Sequence, residues 1–141
     1  MTEQTTFLDA LPTAPRKVTY RIEGKLPGLN ELVRASSNHY ARSAMKRRYG
    51  QAAVAQLRAQ RAEPIEALPV DVVFTWTCKN KRRDPDNIAS AGQKILLDAL
   101  QSADVLPGDG WNQIRRISHR FEIGAQDCVE ITLTEQCADD D

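Results

Sequence analysis

Hydrophobic and polar positions alternate from Lys17 to Glu23, with Val18, Tyr20 and Ile22 on one face and Thr19, Arg21 and Glu23 on the other. That period of two marks a half-buried strand. Gly24-Lys25-Leu26-Pro27-Gly28 then forces a turn. From about Ser37 to Arg61 the spacing becomes helical, with Ala41, Met45, Tyr49, Ala52 and Ala59 recurring along an alanine-rich segment. Pro64 closes that segment, and Gly50 is its weakest interior point. Val70–Cys78 is β-branched and aromatic and reads as a central strand. Asp84-Pro85 opens a second helix running to about Gln101, with Ile88, Ala91, Ile95 and Ala99 on its core-facing stripe. Val105–Gly110 is a turn, and two more strands are expected at about Gln113–Phe121 and Cys128–Glu135. The order is β-α-β-α-β-β, which predicts an α/β (mixed) fold: a small single-domain sheet with two helices packed on it. Residues 1–16 lack periodicity and read as a loose leader, 17–136 as the folded domain, and 137–141 as an acidic tail.

At 141 residues there is room for one domain. No apolar run approaches the ~18 residues that span a bilayer, so no membrane role is expected. Glu3 and Asp9, without a basic start followed by an apolar stretch, do not make a secretory signal. Cys78, Cys128 and Cys137 are odd in number and widely spaced, which argues for reduced thiols and a cytoplasmic protein. With only His39 and His119, both far from the acids discussed below, a histidine-based metal site is not expected. GxGxxG, Walker-type, GxSxG and HExxH motifs are all missing.

The chain carries 19 Lys+Arg against 19 Asp+Glu, a formal net charge of zero. The zero conceals a polarity: every basic residue precedes residue 121, whereas Glu122, Asp127, Glu130, Glu135 and Asp139–Asp141 follow it. Between Glu31 and Glu63 lie Arg34, Arg42, Lys46, Arg47, Arg48, Arg58 and Arg61 with no acid among them. A solvated helix face normally mixes signs, so this run points to phosphate attraction. Lys79, Lys81, Arg82 and Arg83 form a second basic cluster directly after the central strand.

Asp84 and Asp86 follow that cluster. As helix-start residues they complement the dipole, and Asp84 supplies an N-cap oxygen. They also stand at the end of a buried strand, where α/β proteins place their ligands. Two carboxylates at i and i+2 can share a hard cation through oxygen, and Asp109 on the following turn is a candidate third ligand. Asn87, Lys94 and Asp98 lie on one helical stripe, Lys94 and Asp98 forming an i,i+4 pair. By spacing alone that pair is a surface ion pair or an ammonium placed to orient a phosphate.

The blocks Lys81–Ile88, Lys94–Leu100 and Val105–Trp111, with Leu26-Pro27-Gly28-Leu29-Asn30-Glu31 upstream, resemble the RusA-type Holliday-junction resolvases, an endodeoxyribonuclease family common in prophages. The likeness spans roughly residues 18–135. It implies a dimeric mixed α/β hydrolase of DNA recombination and repair that nicks four-way DNA junctions symmetrically with Mg²⁺, Mn²⁺ being a plausible substitute. It also implies that Asp84, Asp86 and Asp109 bind the metal and that Lys94 is the catalytic lysine. In the family that lysine comes about one turn after the second acid, where this chain has Ser90. Many members carry Asp-Asp where this chain has Gly108-Asp109. A homodimer suits the two symmetry-related phosphates of a junction. Arg34, Arg42, Lys46, Arg47, Arg48, Lys79, Lys81, Arg82 and Arg83 would then hold backbone phosphates. The main alternative is a branched-DNA-binding protein with weak or lost cleavage, and a further one is a protein-interaction domain whose acids are only caps. Phe7, Tyr40, Tyr49 and Trp111 are available for stacking at a branch point but receive no assignment.

Overall fold

A computed structural model of the protein describes residues 16–35 and 38–135. Its elements are β1 (Lys17–Glu23), α1 (Leu29–Ala35), α2 (His39–Ala59), β2 (Val70–Cys78), α3 (Pro85–Ser102), β3 (Ile114–Ile123) and β4 (Cys128–Glu135). The leader up to Thr13-Ala14-Pro15, Phe7, Ser37, Cys137 and the Asp139–Asp141 tail lie outside the described residues. The mixed α/β, single-domain expectation is met, with one correction: the described residues form three helices rather than two.

Alternation decides the sheet. β2 buries Val70, Val72, Phe74, Trp76 and Cys78 and half-exposes the residues between them. The four strands run in the order β1-β4-β2-β3. β4 is antiparallel to both β1 and β2, whereas β2 and β3 are parallel. The parallel pair is joined by the α3 crossover, the connection such a pair requires. The helices cover the face carrying Tyr20, Ile22, Phe74, Trp76, Ile131 and Leu133, and this layer is the core.

α3 follows its expected stripe, burying Ile88, Ala91, Ile95 and Ala99 together with Leu96, Leu97 and Leu100. Where it crosses β2, Gly92 lies on the Trp76 ring with no room for a side chain. α2 departs from expectation. It starts at His39, because the Asn38 side chain accepts the Tyr40 and Ala41 N–H groups at 3.0 and 3.2 Å. Its buried residues are Ala53 and Leu57, while Ala41, Ala52 and Ala59 are exposed. Alanine satisfies either face of a helix, so alanine spacing misplaced the stripe. The helix passes Gly50 unbroken.

The polar side of α2 has a structural use. Gln60 accepts from the Arg21 N–H at 2.9 Å and donates to its carbonyl at 2.7 Å, and Gln56 does the same at Glu23 with 2.7 and 3.2 Å. Two glutamines thus occupy the outer edge of β1 as a neighbouring strand would, which blunts that edge. At the other end of the sheet, β3 has no strand on its outer side among the described residues. β3 also runs two residues beyond the expected Phe121, because Glu122 and Ile123 continue to pair with Thr77 and Cys78.

Candidate functional site

The loop from Lys79 to Asp84 leaves the carboxyl end of β2 beside that of β3, the position where parallel α/β sheets hold ligands. Asp84 takes the N-cap position of α3 with Pro85 next, as expected, but its side chain makes no capping hydrogen bond. Its exposed carboxylate is not consumed by the helix. Asp86 sits in the first turn, and the Ser90 hydroxyl donates to the Asp86 carbonyl at 2.6 Å while lying 3.2 Å from Asp86 Oδ1.

Asp86, Ser90, Lys94 and Asp98 are all exposed and four residues apart, so they form one polar ridge along α3. Lys94 Nζ lies 3.1 Å from Asp98 Oδ1 and 3.6 Å from Asp109 Oδ2. The hydrogen bond to Asp98, then the charges of Asp98 and Asp109, hold the Lys94 ammonium above its ordinary value. Lys94 is therefore a fixed cation at neutral pH and no general base. Asp109 is brought to it by a tight turn in which Gln113 Oε1 accepts the Gly110 N–H at 3.0 Å and the Gln113 N–H returns to the Gly110 carbonyl at 3.0 Å.

The predicted three-acid set is consequently split. Asp84 and Asp86 stand at the start of α3, whereas Asp109 joins Lys94 and Asp98 about 12 Å along the helix axis at 1.5 Å per residue. No group of three His, Cys, Asp or Glu side chains placed to hold a metal occurs among the described residues. The Asp84/Asp86 pair alone has the donor chemistry of a hard-cation site, two exposed carboxylates with no cap bond on the first.

Asn87 leaves the Lys94 stripe on which its spacing placed it. Its Oδ1 accepts the Asn30 N–H at 2.7 Å, and a Cβ on Gly28 would meet its side-chain amide at 2.5 to 3.0 Å. Arg83, expected among the phosphate contacts, turns inward and donates to the Leu26 carbonyl at 2.9 Å. Two separated sequence motifs, Leu26–Glu31 and Arg83–Ile88, therefore touch, and the first braces the helix start carrying the acids.

Lys79, Lys81 and Arg82 remain exposed around that start, and Arg34 is exposed on α1. On α2, Lys46, Arg47 and Arg48 are exposed and Arg42 half-buried, with the Arg48 guanidinium 4.9 Å above the Tyr49 ring. Between α2 and α3 runs an open groove of about 580 Å³ whose walls include Lys46, Arg47, Arg58 and Asp98. Arg58 was part of the basic run but not of the expected contact set; its guanidinium reaches the Ser102 carbonyl at 3.4 Å, at the end of α3. Tyr40 and Trp111 are 83% and 94% exposed, Trp111 two residues after Asp109. Both ring nitrogens of His119 have partners within the fold: Trp76 Nε1–H donates to its Nδ1 at 2.9 Å, and its Nε2 lies 2.8 Å from Gln93 Oε1. Cys78 and Cys128 are buried free thiols. No helix among the described residues is long and apolar enough to cross a membrane.

No family model matches this chain, and no curated protein does.

Proposed function

We propose that the protein is a divalent-metal-dependent endodeoxyribonuclease of the RusA type that cuts branched DNA, four-way junctions in particular, as a homodimer. The observation that carries this reading is the α3 ridge: a carboxylate pair at the helix start, a permanently charged lysine on the same face, and a third acid drawn onto that lysine. Asp84 and Asp86 would hold Mg²⁺ or Mn²⁺, which when bound supplies charge neutralisation at a phosphodiester and an acidified water. Lys94, fixed by Asp98 and Asp109 further along the same face, holds by its charge a backbone phosphate neighbouring the one at the Asp84/Asp86 pair. Lys46 and Arg47 in the adjoining groove, with Lys79, Lys81 and Arg82 around the helix start, hold flanking phosphates in a salt-sensitive, sequence-blind manner. The neutral formal charge is no obstacle, because the bases are concentrated in the segments that form this face.

Incubating end-labelled four-way junction with the full chain, Mg²⁺ or Mn²⁺, and separately with a chelator, tests the proposal. Symmetric nicks that disappear with chelator and with Asp86→Asn are expected; nicking by Asp86→Asn at the parental rate would remove the catalytic assignment. The separation of Asp109 from Asp84 and Asp86 favours one second reading, a branched-DNA-binding protein with feeble cleavage. Tight, salt-sensitive junction binding without nicks across a range of both metals is its signature.

A further inference from the structure

Beside Asp84, on the outer side of the sheet's parallel end, a second recess of about 250 Å³ opens between the α3 start and the β3 edge. Its apolar walls come from Cys78, Pro85, Ile88, Phe121 and Ile123, and Asn80, Lys81, Asp84 and Glu122 add polar groups. The volume is below the roughly 300–1,000 Å³ of sites that enclose whole small-molecule ligands. It suits one planar heterocycle. Phe121 is the outermost ring of a continuous stack: Phe74 to His119 at 5.3 Å and His119 to Phe121 at 6.2 Å. The stack is anchored in the core through the Trp76–His119 hydrogen bond at 2.9 Å. Phe121 is nonetheless 41% exposed, and Ile123 53%. A rigidly backed aromatic with accessible surface, walled by aliphatic side chains and with a lysine at its edge, is the arrangement by which proteins receive an unstacked base while holding its phosphate.

We propose that this recess is a nucleobase pocket: an unpaired or extruded base of branched DNA stacks on Phe121, flanked by Pro85 and Ile123. This inference rests on the DNA-directed reading above and deepens it. Lys81 engages the phosphate of the bound nucleotide, which enters the recess from the side of Asp84. The Asn80 amide and the Asp84 and Glu122 carboxylates are the hydrogen-bonding groups within the recess that can tell one base edge from another. Lys81, which lines the recess together with the Asp84 and Glu122 carboxylates, is exposed. Lys79 and Arg82 on the same loop are exposed as well, so the loop that leads into the recess is basic, as a nucleotide's phosphates require. A second copy of the chain docking along β3 is the competing occupant.

The test compares Phe121→Ala and Phe121→Tyr with the parent full-length chain, in Ca²⁺ so that cleavage does not intervene. Binding is measured to a four-way junction carrying 2-aminopurine at the branch point and to fully paired duplex of the same length. Losing a base–aromatic stack weakens junction binding about tenfold or more. Phe121→Ala should therefore weaken junction binding by that factor, leave duplex binding unchanged, and abolish the 2-aminopurine response. Phe121→Tyr should retain all three. If junction binding is parental in Phe121→Ala, or falls equally for duplex, the pocket is overturned while the DNA-directed reading stands. If the parent binds neither DNA, both fall. Sedimentation of the parent as a dimer and of Phe121→Ala as a monomer would assign the recess to a second copy and overturn the base pocket. Circular dichroism melts of each variant establish that the half-exposed substitution has left the fold in place.

Discussion

Gly92→Ala is the sharpest probe of how α3, which carries the ridge, is seated on the sheet. A Cβ built on Gly92 meets Trp76 Cζ3 at 2.8 Å and approaches Cη2 more closely still. Carbon atoms rest at about 3.5–4.0 Å, so the ring or the helix has to give by roughly 1 Å. The ring is poorly placed to do so: Trp76 is 3% exposed, donates to His119 at 2.9 Å and stacks on Phe74 at 5.7 Å. Alanine is favoured over glycine in a helix interior by about 1 kcal/mol. Against that, overpacking costs about 1–3 kcal/mol and losing the Trp76–His119 bond about 1 kcal/mol more. The balance is a net destabilisation of about 1–3 kcal/mol, or a Tm lowered by roughly 3–10 °C for a domain this size. Urea and thermal unfolding by far-ultraviolet circular dichroism measure it. A Trp111→Phe background leaves Trp76 as the sole tryptophan, so its emission reports on the displaced ring. In a Trp76→Phe background the penalty should shrink or reverse, exposing alanine's helical advantage. An unchanged or raised Tm for Gly92→Ala alone would refute the claim that the Trp76 ring fixes α3.

Other consequences can be checked as directly. Lys94→Ala removes a phosphate-anchoring charge and should weaken junction binding several-fold, with cleavage falling in proportion; a cleavage loss of about 10²–10³-fold with binding unchanged would instead make Lys94 a donor at the reacting phosphate. Asn87→Ala removes the acceptor of the Asn30 N–H and should cost about 1–2 kcal/mol in urea unfolding, with faster amide exchange in α1; unaltered exchange there would mean that Asn87 does not hold α1. Burial depresses the His119 pKa below its ordinary 6.5, so the unfolded chain takes up that proton first as pH falls. Stability should therefore be level above about pH 7 and decline as pH drops through 6.5, ceasing to fall once folded His119 itself titrates. Equal pH dependence in His119→Gln between about pH 5.5 and 7.5 would exclude His119 as the source.

The strands were legible because alternation records burial directly. β1, β2 and β4 have their expected bounds, and the α3 stripe lands on buried residues. α1 escaped notice because seven residues are too few for a period, and because one of the hydrogen bonds at its start comes from Asn87, 57 residues away. The order β1-β4-β2-β3 likewise depends on pairings between distant segments. At the site, the residue types and the Lys94–Asp98 pair were readable from spacing. The attachment of Asp109 to Lys94 rather than to Asp84 and Asp86 was not, since the turn's path is set by Gln113 contacts with Gly110. Arg83 shows the same limit: its charge suggested a phosphate, but its position makes it a brace for the Leu26 turn.

The placement of β4 governs the order in which the molecule can assemble. The last of the described strands to be made is not added at an edge; it fills the gap between β1 and β2. Until residues 128–135 leave the ribosome, β1 has no strand partner and β2 has only β3, so the sheet cannot grow progressively from the amino terminus. The ladder joining Lys17 to Thr134 closes nearly the whole described chain into one loop, a topology of high contact order that slows folding. During that interval both edges destined for β4 stand open, lined by the apolar Val72, Phe74 and Trp76 on one side and Tyr20 and Ile22 on the other. Fragments ending before Cys128 are therefore expected to aggregate rather than persist as partial sheets.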